Sequence, residues 1–273
     1  MLDLAVSKGR ILVHWRASMA IPDFLAITEK RLPGFTADCE PLARWFDKIS
    51  AHTRSGPNAD AQGVVINQCK QVWHVYGGVV LLAGYGFGAQ AMMLDRTIFE
   101  LVAGVKYLIK NPAKASDFLD YGKTVVYELL KELGADQPML AAAKPEYDTI
   151  KPRFVVPAKM KGGKMKYLSW HKEPSISAMV TAAGMGALYK TFYKEASSIV
   201  HADSFVTLVR DTDGTWRQVV NPQANEDYDE KAAYFGFALI GVLFADASQF
   251  LGIDCGGDLT AVEAAFKKHL SKK

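Results

Sequence analysis

Between Leu94 and Ile109 the chain reads LDRTIFELVAGVKYLI, and this stretch constrains the fold more than any other. Leu94, Ile98, Leu101, Val105 and Leu108 recur at steps of four and three, so they line one face of a 3.6-residue helix. Arg96, Glu100, Ala103 and Tyr107 recur in the same way on a second face. Thr97 and Gly104 lie between the two and are small enough to admit a neighbouring helix. Asp95, Lys106 and Lys110 are left for the wet side. A helix with two contact faces belongs in the middle of a bundle. The expected class is therefore all-α, a multi-helix bundle.

The flanking segments fit that class. Glu40–Ser50 carries Leu42, Trp45, Phe46 and Ile49 as an apolar stripe, with Pro41 suited to a first turn. A long helix is expected from about Asp60 towards Ala83. The glycines of Gly84-Tyr85-Gly86-Phe87-Gly88 follow no strand and precede no Lys-Ser/Thr pair, so they mark close packing or a helix break rather than a phosphate loop. Asn111-Pro112 restarts a helix that Gly134 closes, and its short turn predicts antiparallel packing on the central helix. Helix resumes near Pro174–Ala183 and continues through Met185–His201, where Met185, Leu188, Phe192, Ala196 and Ile199 face the core. Asp213-Gly214 between two β-rich runs predicts a short β-hairpin or extended flap near residues 204–220. Asp229–Leu251 is a long apolar helix, and Thr260 with Glu263 reads as a capping box for the last one. One helical domain over 1–273 is expected, with a peripheral segment 1–60, a core 61–251 and a C-terminal helix 258–271.

Composition removes some function classes. A net charge of +3 over 273 residues is too small to imply nucleic-acid binding by itself, so a basic patch has to be local. Three widely spaced cysteines read as reduced thiols of a cytoplasmic protein. Lys8, Arg10 and Arg16 interrupt any signal-like apolar run. Val75–Leu94 is charge-free and long enough to span a bilayer, yet its five glycines and Gln90 suit a buried bundle helix better. No cluster has metal-ligand spacing and no serine-hydrolase elbow occurs, so neither a metal nor another cofactor is expected.

Three places could carry chemistry. Arg96 and Glu100, four apart, either tie one helix to another or grip and orient an anion. Lys190, Lys194, Ser197 and His201 share one helical line, either as a solvated face or as a histidine base beside cations. Between Lys151 and Lys166 lie six cations and no acid, among them Lys161 and Lys164, with Phe154, Tyr167 and Trp170 beside them. That loop is either plain surface or a phosphate-facing strip.

The run MLDRTIFELVAGVKYLIKNPAKASDFLDYG, Trp170 and YKTFYKEASSIVHAD resemble the bacterial domain-of-unknown-function family 5677. The matching positions are Arg96, Glu100, Tyr107-Leu108, Phe118 with Tyr121, and Tyr193 with Ser197 and His201. The resemblance covers roughly Leu81 to Leu251 and implies an all-helical fold with no established activity. A more distant similarity is to the HEPN superfamily, helical bundles that are often dimeric ribonucleases of toxin and phage-defence systems. Lys194 stands where that superfamily has an arginine before His201, which loses bidentate phosphate contact. Arg96 would then supply the guanidinium.

The HEPN similarity implies metal-independent RNA cleavage in a bacterial defence or toxin setting. His201 would act as base, Arg96 or Lys194 would stabilise the phosphate, and Glu100 would orient it. Tyr107, Ser197, Tyr193, Lys190, Lys161 and Lys164 would contact substrate. The implied partners are RNA, a second copy or an antitoxin-type protein, with no membrane. The rival expectation is a non-catalytic helical module in which the same residues form a polar network. A weaker rival is a membrane-associated protein using Val75–Leu94.

Overall fold

A computed structural model describes residues 21–157, 165–193, 196–197, 207–210, 214, 216–219 and 222–271. Two helices, α1 (Ile21–Arg31) and α2 (Phe35–Ala51), precede the long α3 (Ala59–Gly84) and the central α4 (Gly88–Lys110). A 3₁₀ turn, Pro112–Lys114, leads into α5 (Ala115–Glu132) and then α6 (Gln137–Ile150). After a second 3₁₀ turn, Lys151–Phe154, the strands β1 (Val155–Pro157) and β2 (Met165–Tyr167) pair antiparallel. Next come α7 (Ile176–Ala182), the single turn α8 (Gly186–Leu188) and a π-helical turn, Tyr189–Tyr193. The strands β3 (Thr207–Arg210) and β4 (Trp216–Val219) form the expected hairpin, and Gly214 takes a φ of 85° at its turn. The long α9 (Pro222–Leu251) and α10 (Gly256–Leu270) complete the bundle.

The central helix is where its two apolar faces put it. It packs on α3, α7 and α9, while α3 and α9 also pack on each other. Ile98, Phe99, Val102 and Ala103 of α4 are sealed against Val72 and Val79 of α3 and Phe237 and Ile240 of α9 in one core cluster. Phe35, Leu42, Trp45 and Ile49 of α2 belong to the same cluster, and the Trp45 indole donates to Ser248 Oγ at 2.7 Å. Residues 35–51 are thus core rather than periphery. Pro41 sits in the body of α2, because that helix begins six residues earlier.

The glycine-rich stretch does both things glycines allow. Gly86, at φ 84°, turns the chain between α3 and α4. Gly88 lies against the backbone of Tyr228 and Asp229 in α9, closer than any Cβ could stand. The charge-free run Val75–Leu94 is therefore cut by this turn. Among the described residues one helix, Tyr228–Leu251, is long and apolar enough to cross a membrane, and it is mostly buried inside the bundle.

Several local expectations are corrected. Asp95, expected on the wet side, is instead 0% exposed. Lys106 is largely covered and pairs with Asp246 of α9. Helix α5 makes its main contacts with α6 and α3, not with α4, because the 3₁₀ turn redirects the chain. Asn111 does not cap the next helix; its side-chain amide donates back to Tyr107 O at 2.9 Å and so ends α4. The helix expected over Met185–His201 is interrupted by the π turn at Tyr189–Tyr193; of the residues expected to face the core, Met185, Phe192 and Ala196 are buried and Leu188 is exposed. Thr260 lies inside α10 and bonds Gly256 O, so the capping box does not form.

Candidate functional site

Helix α4 presents Arg96 and Glu100 on successive turns, and the two side chains meet at 3.1 Å. Tyr193, at the end of the π-helical turn, closes them into a ring. Arg96 Nη2 donates to the Tyr193 oxygen at 2.8 Å, and the Tyr193 hydroxyl donates to Glu100 Oε1 at 2.7 Å. The guanidinium also lies 5.0 Å from the centroid of the Tyr193 ring. Burial, and then the bond to Glu100, raises the Tyr193 pKa, so the phenol stays protonated and keeps donating at neutral pH. The wider π turn resets the helical register at this point, and such single π turns inside helices are frequent at functional sites. Arg96 and Glu100 are each about one-third exposed, at 31% and 32%.

Two turns further along α4, Tyr107 belongs to a separate network. Its hydroxyl donates to Glu173 Oε1 at 2.9 Å, and its ring packs edge-on against Trp170 and His171. Burial followed by the Glu173 bond pushes its pKa up to about 12. His171 is buried, and its Nδ1 accepts the backbone N–H of Glu173 at 3.0 Å. Nδ1 therefore keeps its lone pair, and in the neutral ring the proton sits on Nε2. From there it donates to Ser169 Oγ at 2.6 Å. Desolvation lowers the His171 pKa against the pull of Glu173, which favours that neutral form. This tautomer cannot take a proton from Ser169, so the pair is not a nucleophile with its base. The Ser169 oxygen accepts from Nε2 with one lone pair and keeps its own O–H as a donor.

Between these two networks runs a cleft of about 240 Å³ along α4. Gly104 and Leu108 form its floor, and Phe118, Trp170 and Met179 are among its walls. Gln68, Glu100, Ser169 and His171 supply its polar groups. Glu100 thus serves both the ring and the cleft. On α5, next in sequence to Phe118, Asp117 accepts from Arg153 at 2.6 Å, Lys172 at 3.1 Å and Lys114 at 3.3 Å. Burial alone would raise the Asp117 pKa, but the bonds from Lys172, Lys114 and Arg153 outweigh it and hold the carboxyl below its usual value.

Of the residues singled out from sequence, Arg96, Glu100 and Tyr193 come together. Tyr107 stands apart in the Glu173 network, Lys190 is exposed and Ser197 is half-buried. Lys161, Lys164, Lys194 and His201 lie outside the described residues. Two cations of the basic loop have acidic partners on α5: Lys151 bonds Glu128 at 2.8 Å, and Arg153 bonds both Asp117 and Asp120. Sequence reasoning missed Ser169, His171, Lys172 and Glu173. The signal was present in Ser-Trp-His-Lys-Glu, five consecutive residues of which four are polar, directly after a strand. Among the described residues, no group of three His, Cys, Asp or Glu side chains is placed to hold a metal ion.

A model for a family of unknown function, DUF5677, matches residues 63–215. No curated protein and no solved structure matches the chain.

Proposed function

The chain belongs to the family of unknown function DUF5677, and we propose that it works as a non-catalytic helical binding protein in which Arg96, Tyr193 and Glu100 form a structural joint. One observation carries this reading: the three side chains bond to one another in a closed ring through Arg96 Nη2, the Tyr193 hydroxyl and Glu100 Oε1, while Arg96 Nε is buried with no hydrogen-bond partner among the described residues. A guanidinium recruited to a developing phosphate charge would have to leave both partners, and a half-buried carboxylate would remain unpaired. The joint instead clamps the π turn to the central helix. Its ligand is proposed to be RNA or a second protein chain, in a cytoplasmic setting that the unpaired thiols of Cys39, Cys69 and Cys255 support. Arg96→Ala tests the assignment. The expected result is a lower melting temperature with RNA affinity unchanged, and an unchanged melting temperature with lost RNA affinity would overturn it.

Metal-independent RNA cleavage is the second reading. It is favoured by the exposed third of Arg96 and by the position of the joint, eight residues ahead of His201. In that reading His201 removes or returns a proton while Arg96 or Lys194 faces the phosphate. Labelled RNA incubated with the protein in EDTA decides it. Cleavage that survives chelation and disappears in His201→Ala supports it, and intact RNA with wild-type protein excludes it.

A further inference from the structure

Helix α5 begins inside the bundle and ends outside it. Ala115, in its first turn, is buried with Ala61 and Val64 of α3 and Leu108 of α4. Along the same helical line follow Leu119, Gly122, Val126, Leu129 and Leu133, at alternating steps of four and three. That alternation is the a/d seam by which one helix packs against another. Here the seam has no partner among the described residues: its four leucine and valine side chains are between 43% and 74% exposed. Helix α6 packs on a different face of α5, where Tyr127 stacks on Tyr147 and Glu128 accepts from the Tyr147 hydroxyl.

Gly122 points to the same surface. A glycine in the body of a helix costs stability relative to alanine. Within the chain no close contact requires one, since a Cβ at this position would meet no atom within 4 Å. Between Leu119 and Val126 it leaves a hole in the seam, and such holes receive a side chain from a facing helix. From Leu119 to Leu133 the seam runs about 21 Å, or about four turns.

Charge decides which kind of helix fits. A groove of about 670 Å³ flanks the seam on one side, with Asp60, Asp120 and Glu146 beside Lys123. On the other side a groove of about 530 Å³ has Glu128 and Glu132 beside Lys151. Leu119 and Val126 border the first, and Val125 and Leu129 the second. Five carboxylates thus stand against two ammonium groups along the seam. Lys123 pairs with Glu146, Lys151 with Glu128 and Arg153 with Asp120, whereas Asp60 and Glu132 have no ion-pair partner among the described residues. An RNA backbone would meet like charge there, and a second copy would set the same excess of carboxylates against itself. We propose that the α5 seam docks a basic amphipathic helix of a partner protein. Its apolar stripe would lie along Leu119–Leu133, and its lysines or arginines would meet the carboxylates on either side. The assignment rests on the binding-protein reading and names the chemistry of its protein ligand.

The test is a fluorescence-anisotropy titration of the full chain into a labelled synthetic peptide of about three heptads, with leucine at a and d and lysine or arginine at e and g. A second peptide carries glutamate at e and g, and a third has the first one's composition in scrambled order. Saturable one-to-one binding of the basic peptide at a micromolar Kd is expected, with the other two weaker by about tenfold or more. Leu129→Gln should leave the melting temperature unchanged and weaken the basic peptide about tenfold. Gly122→Gln should raise the melting temperature and weaken binding by a similar factor, because helix propensity improves while the hole is filled. Glu132→Gln should lower affinity about threefold and flatten its salt dependence. Absence of saturable binding into the millimolar range, equal binding of the glutamate peptide, or full affinity in Leu129→Gln or Gly122→Gln would each overturn the proposal. So would displacement of the peptide by single-stranded RNA, or sedimentation as a dimer that Leu129→Gln splits, since these give the seam to RNA or to a second copy. A failed titration leaves the Arg96→Ala melting result standing, whereas RNA cleavage lost in His201→Ala would end the non-catalytic reading without touching the titration.

Discussion

The α3–α4–α9 core and the α5–α6 arm are held together by different forces. In the core, Phe99, Val102, Phe237 and Ile240 are sealed at 0% exposure, and glycines let the helices touch. In the arm, Leu119, Val125, Val126, Leu129 and Leu133 face solvent. The arm relies on the Tyr127–Tyr147 stack, at 4.0 Å between centroids, and on ion pairs such as Lys123–Glu146 and Lys151–Glu128. Close packing is insensitive to salt, whereas exposed pairs contribute little each and are screened. The cleft lies where the two regimes meet, since Leu101, Gly104 and Leu108 of the core face Phe118 of the arm.

The sharpest way to break this contrast is to cut one ring from each side of it. Phe99→Ala removes a fully buried ring that packs on Tyr189, Phe192 and Tyr193, and should cost about 3–5 kcal/mol in chemical denaturation. Leu129→Ala in the arm should stay within about 0.5 kcal/mol. Comparable losses at the two positions would refute the division.

A second effect is specific to the core. Asp95 is fully buried, neither carboxyl oxygen has a hydrogen-bond partner among the described residues, and Gly236 of α9 lies against it. Desolvation raises its pKa well above the ordinary value, so the folded state holds a proton that the unfolded chain releases from about pH 4 upwards. A raised acid makes the native state the better proton binder. Stability contributed by the neutral form is then present at low pH and falls as pH climbs towards the folded pKa, by up to about 1.4 kcal/mol per unit. Asp95→Asn removes this dependence, so its melting temperature relative to wild type should climb from pH 5 to pH 8. A constant difference across that range would show that Asp95 is ionised in the fold.

A smaller effect is expected at the joint. Tyr193→Phe keeps the ring over Arg96 but removes the hydroxyl that links Arg96 to Glu100, and should cost about 1 kcal/mol. Combined with Glu100→Gln it should cost less than the sum of the two single changes, because the same bond is lost in both. Strict additivity would mean that the ring is not a unit. The smallest effect belongs to the arm, where raising salt from 0.05 to about 1 M should speed amide exchange in α6 but not in α4. Equal responses in both helices would remove the electrostatic account of the arm.

How much of this was legible in the sequence depends on the distance over which each cause acts. The periodicity of Leu94–Ile109 gave a central helix with two contact faces, and the described structure has that helix packed on three others. The pairing of Arg96 with Glu100 could be read from spacing four, but their third member could not. Tyr193 reaches them from a π turn that interrupts the α-helix the periodicity suggests, ninety-odd residues along the chain. Asp95 was misread for a related reason. A carboxylate between two apolar stripes is ordinarily solvated, and nothing local announces that Gly236, more than a hundred residues away, will let α9 close over it. The Ser169–Glu173 segment escaped notice because its polar residues follow no helical or strand period. Their roles come from a bound tautomer and from neighbours on α4 and α5.

By itself the sequence determined the helical class, the break at Gly84–Gly88, the hairpin turn at Gly214 and the Arg96–Glu100 adjacency. Each follows from interactions among residues within about one or two helical turns or across one tight turn. Only the tertiary structure decided that Tyr193 completes the ring, that Asp95 is sealed, and that a cleft lined by Glu100, Gly104 and Trp170 runs along α4. These depend on which distant backbones approach one another, and that is set by packing of the whole core rather than by any local preference.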